Sequence, residues 1–426
     1  MIVVGCSSNR TASISANDRS IDASTSKSDA ADHSSWPALF GANRDNVSRE
    51  SGLLADWPSD GPPILWERPV GTGYSSPVLA NDRLIVLQRR DNQEILECID
   101  SATGESLWTF DYPTTYKCRY EYSDGPYSTP IISNDRVYAM GAQGQFHAVS
   151  LEDGEPIWQR NLHADYEVPE TLFGAGATPL LCDGVLFLSL GGFDAGVIAL
   201  DAQNGETLWV ATDHGASYAT PCCASIHGRD YVFVVTFDGI SALSRSTGEC
   251  FWEFDFRPKS PDSINATSPV VCDDLVYMVT GPGPGSVCLR VLEDGSYEEV
   301  WRDRRVLDSQ FNGLMLFDDC VFGFTSKRQG GAQFRCVELA TGKLQWKFRS
   351  DLQRGSLVAS REHIFLLGED GHLASMKLRT DKAELVSLTP APIMKAPCYS
   401  SPALYKQRLY LRNEERLLCL DLRPSH

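Results

Sequence analysis

From Ile64 onward, short apolar runs alternate with polar or glycine-containing turns, and the spacing is that of strands. Within one unit an apolar run meets a polar pair, and a second β-branched or aromatic run follows. Examples are Asn81-Asp82 before Leu84-Ile85-Val86, Asn134-Asp135 before Val137-Tyr138, Asp183-Gly184 before Leu186-Phe187 and Asp273-Asp274 before Val276-Tyr277. A second turn, Gln143-Gly144, Asp238-Gly239 or Asp370-Gly371, brings a glycine able to take the positive φ of tight hairpins. The third run ends Cys98-Ile99-Asp100, Ala148-Val149-Ser150, Ala199-Leu200-Asp201 or Cys336-Val337-Glu338. A last turn sets a tryptophan at a nearly constant offset: Gly104 before Trp108, Gly154 before Trp158, Gly205 before Trp209, Gly248 before Trp252, Gly295 before Trp301 and Gly342 before Trp346. Helix periodicity is almost absent, so the expected class is all-β with four strands per unit.

The unit recurs. A small residue, then Ser or Thr, then Pro opens each copy, at Pro77, Pro130, Pro179, Pro221, Pro269 and Pro402, with weakened copies at Gly313-Leu314 and Ser356-Leu357. The steps are 53, 49, 42, 48, 45, 43 and 45 residues, and four strands every 40–50 residues or so is the spacing of propeller blades. The eighth copy ends at Leu417-Leu418-Cys419-Leu420 without a tryptophan strand, while Ile64-Leu65-Trp66-Glu67 is a tryptophan strand with no unit of its own. Joining the two predicts a closed eight-bladed β-propeller over residues 64–422, with no open edges left to aggregate. Trp66, Trp108, Trp158, Trp209, Trp252, Trp301 and Trp346 are then structural, docking one blade on the next. The seventh copy, with Arg379-Thr380-Asp381-Lys382 and no tryptophan, predicts a weaker outer strand.

The Asp100-x-x-Thr103-Gly104-Glu105-x-x-Trp108 pattern resembles the tryptophan-docking repeat of the pyrroloquinoline-quinone (PQQ) repeat superfamily, over residues 64 to about 422. That superfamily contains eight-bladed quinoprotein alcohol dehydrogenases and the eight-bladed outer-membrane assembly lipoprotein BamB, so the resemblance implies the fold and leaves enzyme and scaffold both open. Trp36-Pro37-Ala38-Leu39-Phe40-Gly41-Ala42-Asn43-Arg44-Asp45, with Trp57-Pro58 after it, is also similar to the leader of PQQ-like propeller proteins of planctomycete-type bacteria. Residues 36–63 are therefore expected to be a leader packed on the propeller.

Ahead of that leader, residues 7–35 are rich in Ser, Asp and Ala and too poor in apolar residues to build a core, as expected of a disordered tether. Val3-Val4-Gly5-Cys6 matches a bacterial lipobox without the basic and apolar regions of a full signal peptide. The expectation is a lipidated Cys6 and a start upstream of Met1, placing the protein in the cell envelope with membrane contact only through the anchor. A formal charge of −18 over 426 residues excludes the concentrated basic surface that nucleic-acid binding needs.

Among the chemistry-bearing residues, Cys222-Cys223 has the vicinal form that quinoprotein dehydrogenases use beside their cofactor. Its place just after Pro221 in a strand instead points the two side chains to opposite faces. Cys98, Cys288, Cys336 and Cys419 share the third-strand position held elsewhere by Ala148, Ala199 and Ala242, and Cys182 and Cys272 share the end of the first strand; all read as small buried residues without zinc spacing. No carboxylate set suited to calcium, no haem motif, no phosphate loop and no catalytic triad emerges. The expected protein is a monomeric, non-catalytic binding or scaffold propeller without cofactor, with a protein or peptide partner. A PQQ- and calcium-dependent dehydrogenase and a small-ligand or polysaccharide sensor are the alternatives. Three residues before each motif proline stand Tyr74, Tyr127, Gly176, Tyr218, Ala266, Phe311, Arg354 and Tyr399. These predict an aromatic rim around one mouth of the central channel, formed by Tyr74, Tyr127, Tyr218, Phe311, Arg354 and Tyr399 and overhung by the connections at 112–126, 163–176, 303–312 and 388–399.

Overall fold

In the computed structural model eight four-stranded antiparallel sheets follow one another around a ring. It describes residues 35–120, 122–169, 173–258, 264–326 and 331–424, so Cys6 and nearly all of the expected tether lie outside the described residues. Blades 1 to 7 occupy residues 78–113, 131–161, 180–211, 222–255, 270–303, 315–348 and 355–388. Blade 8 takes three strands from residues 403–421 and its outer strand, Ile64–Pro69, from the other end of the propeller. There Trp66 pairs with Cys419 and Arg68 with Leu417. Among the described residues one short helix, Leu162–Asp165, interrupts the strands. Among the described residues no helix is long and apolar enough to cross a membrane.

Local sequence explains the hairpins. Asn81-Asp82 and Asp318-Asp319 both take φ between 45° and 62°, and Asp183-Gly184 and His227-Gly228 between 49° and 79°, the two-residue geometry whose twist matches that of paired strands.

The motif that opens each copy also has a physical role. The Ser76 amide donates to Thr129 Oγ1 at 3.0 Å, the Thr129 amide to Thr178 Oγ1 at 3.0 Å, the Thr220 amide to Ser268 Oγ at 3.0 Å and the Ser401 amide to Ser76 Oγ at 2.8 Å. Each hydroxyl thus accepts a backbone hydrogen bond from the neighbouring blade, tying the inner strands together where no sheet pairing is possible.

Tryptophans tie the outer strands. Trp66, Trp108, Trp158, Trp209, Trp301 and Trp346 donate Nε1–H to Ser101, Leu151, Ala202, Arg245, Leu339 and Arg379 carbonyls of the following blade at 2.8–3.2 Å. Five of these rings lie flat on the turn glycine of the next blade, and a Cβ added to Gly104, Gly154, Gly205, Gly248 or Gly342 would come within 2.6–2.9 Å of the indole. Those glycines also have φ of 69–78°, so two independent constraints demand glycine there. Trp252 is the exception: its Nε1 has no hydrogen-bond partner and its ring packs on Tyr297 at 4.7 Å.

The third-strand cysteines are explained by the same geometry. Cys98 lies opposite Trp108, Ala148 opposite Trp158, Ala199 opposite Trp209, Ala242 opposite Trp252, Cys288 opposite Trp301, Cys336 opposite Trp346 and Cys419 opposite Trp66. Only a small side chain leaves room for the ring across the strand pair. Cys182 and Cys272, by contrast, are half-buried rather than buried.

Blade 7 has Ser387 opposite Ser375, the register that holds a tryptophan in other blades. The leader fills the vacancy. The Trp57 amide donates to Ser387 Oγ at 3.2 Å, the Ser375 hydroxyl donates to the Ala55 carbonyl, and the Trp57 ring stacks on Phe365 at 6.1 Å. Trp57 is only 6% exposed and joins the core shared by blades 7, 8 and 1.

Earlier in the leader, residues 36–48 cross the central channel. Trp36 bridges Leu79 of blade 1, the Ile132 amide of blade 2 donates to the Pro37 carbonyl, Arg44 reaches the Pro179 and Leu181 carbonyls of blade 3, Asn46 Nδ2 donates to the Leu314 carbonyl of blade 6, and Val47 bridges Ala359 of blade 7. A Cβ at Gly313 would stand 2.4 Å from the Phe40 ring and 2.8 Å from Asn46 Nδ2. The weakened copy at Gly313-Leu314 is therefore the place where the crossing segment needs room.

One buried base carries a pH signature. His147 is 5% exposed, its ring lies 4.3 Å from Tyr112 and 5.0 Å from Phe110, and neither ring nitrogen has a partner. Burial lowers its pKa to about 4. The unfolded chain takes up this proton as pH falls below about 6.5, whereas the folded protein resists until about 4, so stability contributed by the neutral ring is present at neutral pH and lost through that window. The expected loss is about 3 kcal/mol at pH 4. Burial raises Asp45, Glu50 and Glu94, which work in the opposite sense. His147→Leu isolates the histidine: its melting temperature should fall less than the wild type's between pH 7 and pH 4.5, and equal falls would refute the assignment.

Candidate functional site: an aromatic mouth and its recess

The residues before each motif proline do meet. Tyr74 lies at ring-centroid distances of 5.0 Å from Tyr127 and 5.1 Å from Tyr399, and Tyr399 lies 5.1 Å from Phe311. Arg354 covers Phe311 at 4.9 Å and Tyr399 at 5.7 Å. It is held by a 2.6 Å ion pair with Glu369 and a 2.5 Å hydrogen bond to Gln310 Oε1. Tyr218 joins through Phe173, 5.7 Å from it and 6.3 Å from Tyr127. All six expected rim residues are half-buried, because they pack on one another instead of standing apart around an open hole. Burial raises the pKa of the Tyr74, Tyr127 and Tyr399 hydroxyls, so these remain neutral donors at physiological pH.

Three further aromatics complete the surface, all from the long connections. Phe173 contacts Tyr120 at 5.5 Å and Tyr122 at 5.4 Å, and Tyr122 contacts Tyr399 at 6.5 Å. Tyr120 is 39% and Tyr122 48% exposed, against the half-buried rings beneath them. Sequence reasoning placed these connections over the mouth but did not single out the three rings; they stand outside the repeat register, and only the high aromatic content of 116–127 signalled Tyr120 and Tyr122, with no such signal for Phe173.

Beside Tyr122 opens a polar recess of about 380 Å³, lined by Thr72, Arg89, Asp91, Tyr122, Asp124 and Glu414. The Arg89 guanidinium is committed to backbone, donating to the Asp91 carbonyl at 2.7 Å, the Tyr116 carbonyl at 2.5 Å and the Asp124 carbonyl at 2.8 Å. Three carboxylates, of Asp91, Asp124 and Glu414, outnumber this one cation and give the recess an acidic character, which suits cationic and amide groups.

A quinone cofactor does not fit these residues. The space at the mouth is taken by Tyr74, Tyr127, Phe311 and Tyr399 in mutual contact, with Arg354 paired to Glu369. Cys222 and Cys223 are successive residues of the inner strand Cys222–Ile226, paired with Phe233 and Val232. Cys223 packs in the core between blades 3 and 4. Among the described residues no group of three or more His, Cys, Asp or Glu side chains is arranged to hold a metal ion.

Comparison with known proteins follows the same lines. A family model described as outer membrane protein assembly factor BamB matches residues 10–168 and 194–326, more than half of the chain. The BamB of Burkholderia pseudomallei is 28% identical over 180 residues, 42% of this chain and 42% of its own length, and that of Yersinia pestis 25% identical over 239 residues, 55% of each. The chain thus spans about half the length of these relatives. A quinohemoprotein alcohol dehydrogenase of Pseudomonas putida is 36% identical over 149 residues, 33% of this chain and 21% of the enzyme. Among solved structures, BamB of Moraxella catarrhalis superposes with a TM-score of 0.58 at 15% identity, over 85% of this chain and 100% of that one. The quinohemoprotein alcohol dehydrogenase of Comamonas testosteroni does so with 0.62 at 13%, over 92% and 81%. The solved structures bear on fold alone; by its family match, the chain belongs to the PQQ-like β-propeller family described as outer membrane protein assembly factor BamB.

Proposed function

We propose that this chain is a non-catalytic binding propeller of the cell envelope, anchored through Cys6, which presents the aromatic mouth to a protein or peptide partner in the manner of a BamB scaffold. The observation that carries the reading is the contiguous surface from Tyr120 and Tyr122 through Phe173 and Tyr399 to Arg354. Large rigid rings of this kind bury much area at small entropic cost, and tyrosine and arginine dominate the energetics of interfaces. The acidic recess beside Tyr122 would take a cationic or amide side chain of the same partner.

Affinity capture from the envelope with mass spectrometry tests it, the expected catch being β-barrel assembly proteins. The Tyr120→Ala, Tyr122→Ala double variant removes exposed rings only, so the fold should persist while capture falls at least about tenfold. Undiminished capture would remove the mouth as the binding surface. A second reading, a PQQ- and calcium-dependent dehydrogenase, draws support from the Pseudomonas putida relative. Titration with PQQ and calcium, read by absorbance and dye reduction, decides it: saturable binding with turnover would displace the scaffold reading.

A further inference from the structure

Three thiols gather where the leader passes blades 3 and 4. Cys182 ends the inner strand of blade 3, and Cys222 and Cys223 open that of blade 4. The Cys182 and Cys223 side chains lie beside each other and pack against the core between these blades, and the Cys182 thiol donates to Asp183 Oδ2 at 3.8 Å. Arg245 Nη1 lies 3.5 Å from Cys182 Sγ, and the same guanidinium is fixed by Asp183 at 2.9 Å and Asp230 at 3.0 Å. On the leader side Arg44 adds a second positive charge near all three cysteines, held by the Pro179 and Leu181 carbonyls at 3.4 Å. All three sulfurs belong to half-buried residues.

We propose that Cys182 and Cys223 form a reactive dithiol that reduces small hydroperoxides, Cys182 attacking and Cys223 resolving, so that oxidation fastens blade 3 to blade 4. The arrangement meets the needs of thiol chemistry: a sulfur with a guanidinium to stabilise its anion, partial access, and a second thiol beside it. The neighbouring Cys223 is the largest influence lowering the Cys182 pKa and Arg245 adds to it, against burial and the Asp183 carboxylate, while the Cys223 thiol is pushed up. Burial pushes Cys222 up to about 11.

The steps balance. The Cys182 thiolate attacks the outer peroxide oxygen; the O–O bond breaks and the alcohol or water leaves with a proton, giving a Cys182 sulfenic acid. Cys223 sulfur then attacks Cys182 sulfur; the S–S bond forms, the S–O bond breaks and water leaves with the Cys223 proton. Two thiols are oxidised by two electrons and one hydroperoxide is reduced to alcohol and water.

Hydrogen peroxide at near-equimolar concentration, followed by alkylation and peptide mapping of the full chain, provides the test. The expected product is one disulfide joining Cys182 to Cys223. Cys182 should also react with iodoacetamide at neutral pH at least about tenfold faster than Cys250, although Cys250 is the exposed thiol and exposure alone predicts the reverse order. Cys223→Ser should stop at a Cys182 sulfenic acid trapped by dimedone, Cys182→Ser should abolish the reaction, and Arg245→Gln should slow alkylation of Cys182, with tryptophan fluorescence confirming that each variant is folded. A Cys222–Cys223 disulfide, first oxidation at another cysteine, or intact thiols at both positions would overturn the proposal.

Discussion

A chain that begins after Pro69 is expected not to fold as a cooperative unit, because the last blade then lacks its outer strand. Ile64–Pro69 pairs along Arg416–Asp421, and Trp66 ties the outer edge of blade 8 to blade 1 by its bond to the Ser101 carbonyl and its ring on Gly104. Without this strand the Leu417–Leu420 edge is open to pairing with other chains, and blades 8 and 1 are held only by their inner-strand and core contacts. The loss should reach the order of a whole domain's stability, about 5–15 kcal/mol. Size-exclusion chromatography and thermal unfolding check it: aggregation or a broad transition is expected, and a monomer with a sharp transition near the wild-type temperature would show that closure is dispensable. Trp66→Ala provides the milder comparison, because the strand and its backbone pairing remain.

The second large effect concerns Trp57. Replacement by alanine should cost about 3–5 kcal/mol, the range for deleting a buried large aromatic, and should do so although the residue lies outside the repeat. Trp57 supplies the ring that blade 7 lacks at Ser387. Its indole nitrogen has no hydrogen-bond partner, so only ring volume is at stake, and Trp57→Phe should cost far less than Trp57→Ala. Urea unfolding of the two variants measures this. Equal costs would mean that the indole nitrogen matters after all, and a negligible cost for alanine would mean that blades 7 and 8 hold without the leader.

The particular elements show how far each level of description reaches. The blade count, the closing strand and the alternation of small residue and tryptophan all follow from the repeat, because each blade must solve the same packing problem against its neighbour. Cys98 and Ala148 read as equivalent from their position alone, and both prove to lie across from a docking ring. The rim residues were legible for the same reason: a fixed offset before the motif proline puts them at corresponding points of successive blades. Phe173, Tyr120 and Tyr122 were not, since long connections carry no register and their rings meet the rim only through the folded path of the chain.

By itself the sequence determined a ring of eight sheets, its closure by a strand from the start of the propeller and the residue types at each recurrent position, since these are local pairing and packing rules repeated eight times. Only the tertiary structure decided where the rules lapse. Gly313 yields room to Phe40, and Ser387 stands where Trp57 arrives from the leader. Cys182 and Cys223 come together across two blades. Each of these depends on contact between residues distant in the chain, and no local spacing encodes which distant side chain will occupy a given gap.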